Sequence, residues 1–341
     1  MKDENLTLYN KNKIVKLVSN LLGYYDESEY KKEIIKASHL LMDKVRYCDI
    51  EDITLEADFI EEILFTLNDD GTKSIVSDVF YQLRSIGADL IDVSFDNVNI
   101  YGFYFNGLKN IEIDIKKIPN YDISKTCLDG VKVKGTLDGA NIEGTNFTGY
   151  IGNLVLNPQL VQNKNLSYTN LNGITVNGSF DGVNVSSMKT KCFKGEIIIN
   201  PQKVINKDLW NIDFNGIKLV GDYDQNSGTY NDPCFEGCHL YNNSFKGCIG
   251  NVIIPLDKLY TDAMLCNFTG VKLTGLTKDI NTFCLEYCYY QDENNKKIYL
   301  IDCMDKSELV EETSSEEKIE SHKTKTRSKN IFNRIFGTSK K

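Results

Sequence analysis

From Val93 onward, apolar positions recur neither every 3.6 residues nor every second residue, but every fifth. The chain cuts into VSFDN, VNIYG and FYFNG, then resumes at Thr126 as TCLDG, VKVKG, a four-residue TLDG, ANIEG and TNFTG. From Thr169 it reads TNLNG, ITVNG, a four-residue SFDG and VNVSS, and from Ile212 IDFNG and IKLVG. After the interruption DYDQNSGTYNDP come CFEG, CHLYN and NSFKG, and from Cys266 CNFTG and VKLTG. The central position is large and apolar: Phe95, Ile100, Phe105, Leu128, Ile142, Phe147, Leu171, Val176, Phe180, Phe214, Leu219, Phe235, Phe245 and Phe268. Two residues earlier stands something smaller or β-branched, such as Thr126, Val131, Ala140, Thr145, Thr169, Cys238 or Cys266. Both positions can turn inward while the residue between them faces water. Glycine closes most units, as a corner requires where φ is positive or a Cβ would crowd the next coil. One side per unit, with a corner at each boundary, makes a square coil. A single coil cannot bury its own apolar ladder, so stacking supplies the core.

A longer period lies over the short one. IEIDIKKIPNYDIS, LVLNPQLVQNKNLS, IIINPQKVINKDLW and VIIPLDKLYTDAML each precede a run, and the equivalent Gly130, Gly173, Gly216 and Gly270 are spaced by 43, 43 and 54 residues. The excess in the last interval matches the interruption at residues 222–233. The larger unit is thus pentapeptides, one apolar strand and a polar connector. The Asn-Pro-Gln triplets at 157–159 and 200–202 read either as turn chemistry or as a repeated polar edge.

These units, above all ANIEG-TNFTG and CNFTG-VKLTG, resemble the pentapeptide-repeat family, whose consensus is A-(D/N)-L-x-x. The resemblance covers roughly residues 93–290 and implies a right-handed quadrilateral β-helix. Glycine at the last position and the recurring connectors depart from the family pattern. The connectors are therefore expected to bulge from one face.

The ends read differently. Ile14, Leu17, Val18, Leu21 and Leu22, then Ile34, Ala37, Leu41 and Val45, recur at helical spacing. Asp26 with Glu29 has the form of a capping box, and further helices are expected over residues 56–67 and 74–86, with Asn68-Asp69-Asp70-Gly71 as the turn between them. Four such helices would cover an end of the solenoid or bind a partner. The fold class expected is α+β by segment: a helical domain or cap over residues 1–90, a right-handed β-solenoid over 91–303, and a disordered tail over 304–341.

Charge sharpens the reading of that tail. Residues 305–320 carry net −5, and residues 321–341 hold seven Lys or Arg and no acid. With that +7 inside a total of −9, the remainder carries −16. NIFNRIFGTSKK places Ile331, Phe332, Ile335 and Phe336 on one side of a short helix, among Arg334, Lys340 and Lys341. That is a candidate anchor for an anionic membrane surface, with a partner-binding motif or self-docking as the alternatives. No run of apolar residues is long enough to span a bilayer. The opening MKDENLTLYNKNK lacks the apolar core of a secretory signal, so a cytoplasmic or peripheral membrane protein is expected.

The ten cysteines are read as reduced thiols. Cys234-x3-Cys238 with His239, and Cys284-x3-Cys288, have zinc-compatible spacing, although Cys238 also falls at a buried repeat position. His39, His239 and His322 sit in no catalytic signature, and acid pairs such as Glu61-Glu62 read as solvated faces. No enzyme, cofactor or metal is expected. The net charge argues against nucleic acid as partner. What remains is an interaction scaffold for an unidentified protein, with a homodimer open. The alternatives are an acidic DNA mimic, as the resemblance implies for members that protect DNA gyrase, and a host-directed effector.

Overall fold

The structure is a computed structural model describing residues 7–47, 51–259, 263–275, 285 and 287–302. The chain divides into two compact units: Met1–Leu156 with Leu160–Asn163 and Asn172–Thr175, and Asn157–Gln159 with Lys164–Leu171 and Val176–Lys341.

In the first unit, β1 (Thr7–Asn10) pairs antiparallel with β2 (Asp52–Leu55). Asn10 then caps α1 (Lys11–Gly23), its side chain accepting the Asn12 N–H at 3.0 Å. α1 buries Ile14, Leu17, Val18 and Leu21 and leaves Leu22 exposed, while α2 (Lys31–Tyr47) buries Ile34, Ala37 and Leu41 and keeps Val45 half-buried. The expected Asp26–Glu29 cap gives way to Ser28. Asp26 falls in a single 3-10 turn (Tyr25–Glu27), and the Ser28 hydroxyl accepts the Tyr30 N–H at 3.0 Å while donating to Asp78 at 2.7 Å.

The two later helices are shorter than the helical periodicity implies. α3 (Ala57–Leu64) and α4 (Ser77–Ser85) flank a hairpin of β3 (Phe65–Leu67) and β4 (Lys73–Ile75). The turn chemistry wins over helix propagation here. Gly71 takes a φ of +81° and donates to the Asn68 carbonyl at 3.0 Å, and Asp70 accepts the Thr72 N–H at 2.9 Å. β4 also pairs in parallel with β5 (Val98–Asn99), so the hairpin joins the first coil by backbone hydrogen bonds. Phe80 of α4 meets Phe103 and Phe105 edge-on at 5.0 and 5.3 Å, which covers the apolar interior at that point.

Residues 112–274 form a β-solenoid of about eight turns. In the first unit β6 (Glu112–Asp114) stacks in parallel on β7 (Lys132–Lys134), and Asp122, Cys127 and Lys132 bridge to Asn141, Asn146 and Ile151. In the second unit Ile198–Ile199 stacks on Lys218–Leu219, and Ile253–Pro255 on Lys272–Thr274. These partners lie 19 or 20 residues apart, the length of four pentapeptides. From Asp208↔His239 to Lys218↔Ile249 the offset grows to 31, because the interruption folds as an antiparallel hairpin of Tyr223–Asp224 and Thr229–Tyr230.

All fourteen central positions, Phe95, Ile100, Phe105, Leu128, Ile142, Phe147, Leu171, Val176, Phe180, Phe214, Leu219, Phe235, Phe245 and Phe268, are buried. Phe214, Phe245 and Phe268 stack face to face at 4.9 and 5.6 Å between successive rings. Buried hydroxyls are satisfied within the wall: Thr126 and Thr145 donate to the carbonyls of Ile100 and Ile123 at 2.9 and 2.8 Å.

The first three connectors form part of this wall and do not bulge from it. They bury Ile118 and Ile123, Val161 and Leu166, and Val204 and Leu209. The first three turn through two consecutive left-handed residues, led by Asn120, Asn163 or Asn206 at φ +54°, and asparagine tolerates that region best after glycine. Turn chemistry also accounts for the Asn-Pro-Gln triplets. Asn157 and Asn200 accept the N–H of Gln159 and Gln202 at 3.1 and 3.0 Å. The Gln159 amide donates to the Ser179 and Asp181 carbonyls, and the Gln202 amide to those of Cys234 and Glu236. Both amides are thereby engaged within the wall. Among the described residues no helix is long and apolar enough to cross a membrane.

Candidate interaction surfaces

A corner of the second unit carries a run of exposed aromatic side chains. Tyr168, Ser187, Asn211, Asn242, Leu265 and Tyr287 all hold φ between +53° and +60°. The hydrogen bonds Tyr168 N–H to Ser186 O, Ser187 N–H to Trp210 O, Asn211 N–H to Tyr241 O and Asn242 N–H to Met264 O, at 2.7–2.9 Å, link coil to coil along it. Along this corner Tyr168, Trp210, Tyr241, Asn242, Leu265 and Tyr287 are exposed, whereas Ser186 and Ser187 are buried. Asn242 donates to Asn211 at 2.7 Å and Asn211 to Ser187 at 3.3 Å, an amide ladder that fixes the corner. Beside it Trp210 and Tyr241 pack with ring centroids 6.1 Å apart while remaining 38% exposed each. Tyr287, at 57%, extends the row past Leu265, and Tyr168, at 54%, lies one coil further on across the buried Ser186 and Ser187.

The second surface is the inserted hairpin. Tyr223 and Tyr230 meet edge-on at 5.1 Å and are both exposed, with Lys218 over the Tyr230 ring. Insertions into one repeat commonly mark a binding face. The Asn226 N–H holds the Asp224 carboxyl below its ordinary range. Lys203 reaches Asp222 at 3.0 Å and Asp181 at 3.6 Å, which raises its own pKa.

In the first unit a polar cleft of about 570 Å³ is lined by Tyr9, Lys13, Asp89, Lys109 and Asn110 among others. Its groups are largely engaged with each other. Asp89 accepts from the Ile91 N–H and the Asn110 amide at 3.1 and 2.8 Å. The Tyr9 hydroxyl donates to the Asp89 carbonyl at 2.7 Å, and burial pushes its pKa up to about 12. That phenol stays neutral near pH 7 and is poorly suited to act as a base.

The Cys234-x3-Cys238 spacing with His239 does not converge. Cys234 is exposed, whereas Cys238 is buried with its sulfur 3.8 Å from the Pro201 carbonyl, and burial raises its pKa to about 12. Metal ligation needs the thiolate, which that setting disfavours. His239 is half-buried, Cys288 is buried, and Cys284 lies outside the described residues. Among the described residues no three His, Cys, Asp or Glu side chains come together as a metal site. His39 is exposed on α2. Glu61 and Glu62 are ion-paired to Lys73 and Lys36 at 3.5 and 3.1 Å. The tail candidates Ile331, Phe332, Arg334, Ile335, Phe336, Lys340 and Lys341 lie outside the described residues, as does His322.

Neither exposed aromatic group follows from the central-position pattern. The signal for the corner is an aromatic at the fourth or fifth place of a unit, as in CHLYN, where Gly, Asn or Asp is usual. No family model, curated protein or solved structure matches this chain.

Proposed function

We propose that this chain is a non-enzymatic scaffold for protein interactions, held at an anionic membrane surface by its basic C-terminal segment. The observation that carries the reading is the exposed aromatic row from Tyr168 through Trp210 and Tyr241 to Tyr287 on a hydrogen-bonded backbone. Tyr and Trp at a fixed surface are the residues that dominate protein–protein binding energy. A stacked β-wall orders them in advance, so association loses less side-chain freedom. The segment 321–341, with seven cations and the apolar Ile331, Phe332, Ile335 and Phe336, supplies the tether.

The pairing of surface charges supports the scaffold over the DNA mimic. Several acids on the described coils are paired with lysines: Asp96 with Lys117 at 2.7 Å, Glu112 with Lys132 at 2.7 Å and with Lys134, and Glu196 with Lys218 at 3.5 Å. A duplex mimic needs unpaired negative charge at phosphate spacing.

Co-flotation tests both halves. The full chain is expected to float with phosphatidylserine vesicles in low salt and to lose binding as salt rises. Cytosolic proteins that float with it are expected to be absent when Trp210→Ala/Tyr241→Ala replaces the wild type. A chain that stays at the bottom of the gradient in low salt refutes the tether. An unchanged set of co-floating proteins refutes the corner as the scaffold's working face.

A further inference from the structure

We propose that Cys266 and Cys288 form a dithiol modification site, which peroxide converts into a disulfide that fastens the strand of Tyr289 to the coil beneath it. The inference stands apart from the scaffold reading, and it begins with register. Asn267 bridges in parallel to Tyr289, the Tyr289 N–H donates to the Cys266 carbonyl at 3.0 Å, and the Phe268 N–H donates to the Tyr289 carbonyl at 2.8 Å. Each cysteine precedes a bridge residue, so one lies directly over the other. Both side chains are buried. Strand spacing sets such partners about 4.8 Å apart, and a disulfide accepts Cα separations of about 4.4–6.8 Å.

The surroundings single out this pair. The Cys288 sulfur lies against the Ala263 carbonyl and the Cys266 sulfur 3.4 Å from that of Met264, and the two thiols are within hydrogen-bonding reach of each other. Two other buried cysteines are placed differently: the Cys127 sulfur is 3.6 Å from the Asn146 amide, and the Cys238 sulfur 3.8 Å from the Pro201 carbonyl. The column below adds a second observation. Asp213 bridges Ser244 and Ser244 bridges Asn267, so Ile212, Asn243, Cys266 and Cys288 stack in one buried column. Asn243 accepts the Ile212 N–H at 2.8 Å, while its amide nitrogen has no partner among the described residues. A buried donor costs stability until something accepts from it, and an oxygen added to the Cys266 sulfur brings an acceptor into that column.

Burial and the neighbouring Cys288 raise the Cys266 pKa, although the peptide N–H groups of Asn243 and Asn242 favour its thiolate. Oxidation is therefore slow and proceeds from a small thiolate fraction. After the thiol proton passes to solvent, the thiolate attacks one oxygen of hydrogen peroxide, the O–O bond breaks and hydroxide leaves, giving a sulfenic acid. The Cys288 sulfur then attacks the sulfenic sulfur. The S–S bond forms, the S–O bond breaks, and the departing oxygen takes the Cys288 proton to leave as water. Two thiols and one hydrogen peroxide thus give one disulfide and two waters. The link closes a loop of 21 residues, 267–287. Leu265 and Tyr287 each stand immediately before a cysteine, so the same link fixes that end of the aromatic corner.

The test treats reduced, folded, full-length protein with hydrogen peroxide, then alkylates it with N-ethylmaleimide in denaturant. Trypsin and Glu-C digestion without reductant follows, because cleavage after Glu286 parts Cys284 from Cys288. Mass spectrometry is expected to find a peptide pair joined through Cys266 and Cys288, formed at a rate independent of protein concentration and reopened by dithiothreitol. Hydrogen exchange at the Tyr289 and Leu300 amides, which donate to the Cys266 and Cys288 carbonyls, is expected to slow on the order of tenfold in the oxidised protein. Peroxide should leave that exchange unchanged in Cys288→Ala. The proposal is overturned if both cysteines stay alkylatable while the exposed Cys192 and Cys234 oxidise, or if Cys266 is joined to another cysteine. A link that forms only in the unfolded chain also overturns it, because the native register is then not its cause. A native link with unaltered exchange overturns the fastening.

Discussion

Gly250 sits where a coil crosses the one beneath it. A Cβ placed on it would lie 2.7 Å from the Leu219 carbonyl oxygen, a backbone atom that no rotamer change can move away. Its φ of +126° also lies outside the left-handed basin that other residues enter. Gly270 is the natural comparison, because its φ is +90° and nothing lies within 4 Å of a Cβ built there. For Gly270→Ala only the backbone term applies, about 1–2 kcal/mol. For Gly250→Ala that strain, about 1–3 kcal/mol, combines with an overpacking cost of about 1–3 kcal/mol as the rung shifts. The expected losses are about 1.5 and 4 kcal/mol, or about 4 and 10 °C in melting temperature. Urea unfolding followed by far-UV dichroism measures both. Hydrogen exchange locates the damage, because the Leu219 and Ile249 amides donate across that crossing at 2.9 and 2.8 Å and should lose protection first. Near-neighbour coupling in a solenoid predicts that rungs several coils away keep theirs. Equal destabilisation of the two variants, or a Gly250→Ala loss below about 1 kcal/mol, would refute the close-approach argument.

Two further outcomes follow from charge and burial. Hydrogen bonds from Lys132 and Lys134 hold the Glu112 pKa below the ordinary carboxyl value, so its contribution is present above the unfolded pKa and vanishes as pH falls through the folded one. Glu112→Gln is exposed enough to cost less than about 1 kcal/mol at pH 7, and denaturation curves should show that gap closing below about pH 4; a gap that widens in acid contradicts it. Burial raises the thiol pKa of Cys238 and Cys266, whereas Cys192 and Cys234 are exposed. Iodoacetamide at pH 8.5 should therefore alkylate Cys192 and Cys234 in the native protein and reach the other two only after unfolding. Mass spectrometry reads this site by site, and native labelling of Cys238 at the rate of Cys234 would overturn its inward placement.

The solenoid was legible because its signal is redundant: Phe214, Phe245 and Phe268 hold the central place of their units and stack as a column through successive coils. The hairpin at Phe65–Leu67 and Lys73–Ile75 was not, because three-residue strands leave too few alternations to outweigh the helical periodicity on either side. The connectors were misjudged for a related reason. Asn-Pro-Gln announces a turn, yet says nothing about Ile118, Val161 and Val204, whose inward placement depends on the left-handed pair at Asn120, Asn163 and Asn206.

The same left-handed geometry explains why the corner is the place to vary. A central position cannot change without disturbing the ring stack above and below it, and the residue two before it is confined to small or β-branched side chains. Tyr168, Leu265 and Tyr287 sit at positive φ with their side chains exposed, so the backbone conformation constrains them more than packing does. Asn211 and Asn242 meet that constraint directly, and Tyr168, Leu265 and Tyr287 accept its strain. A large side chain held at a conformational cost, with no core to fill, is where function rather than stability accounts for residue choice. The next substitution to examine is therefore at Tyr168 and Tyr287. Asparagine at either should retain or raise stability while thinning the aromatic row that a partner would contact.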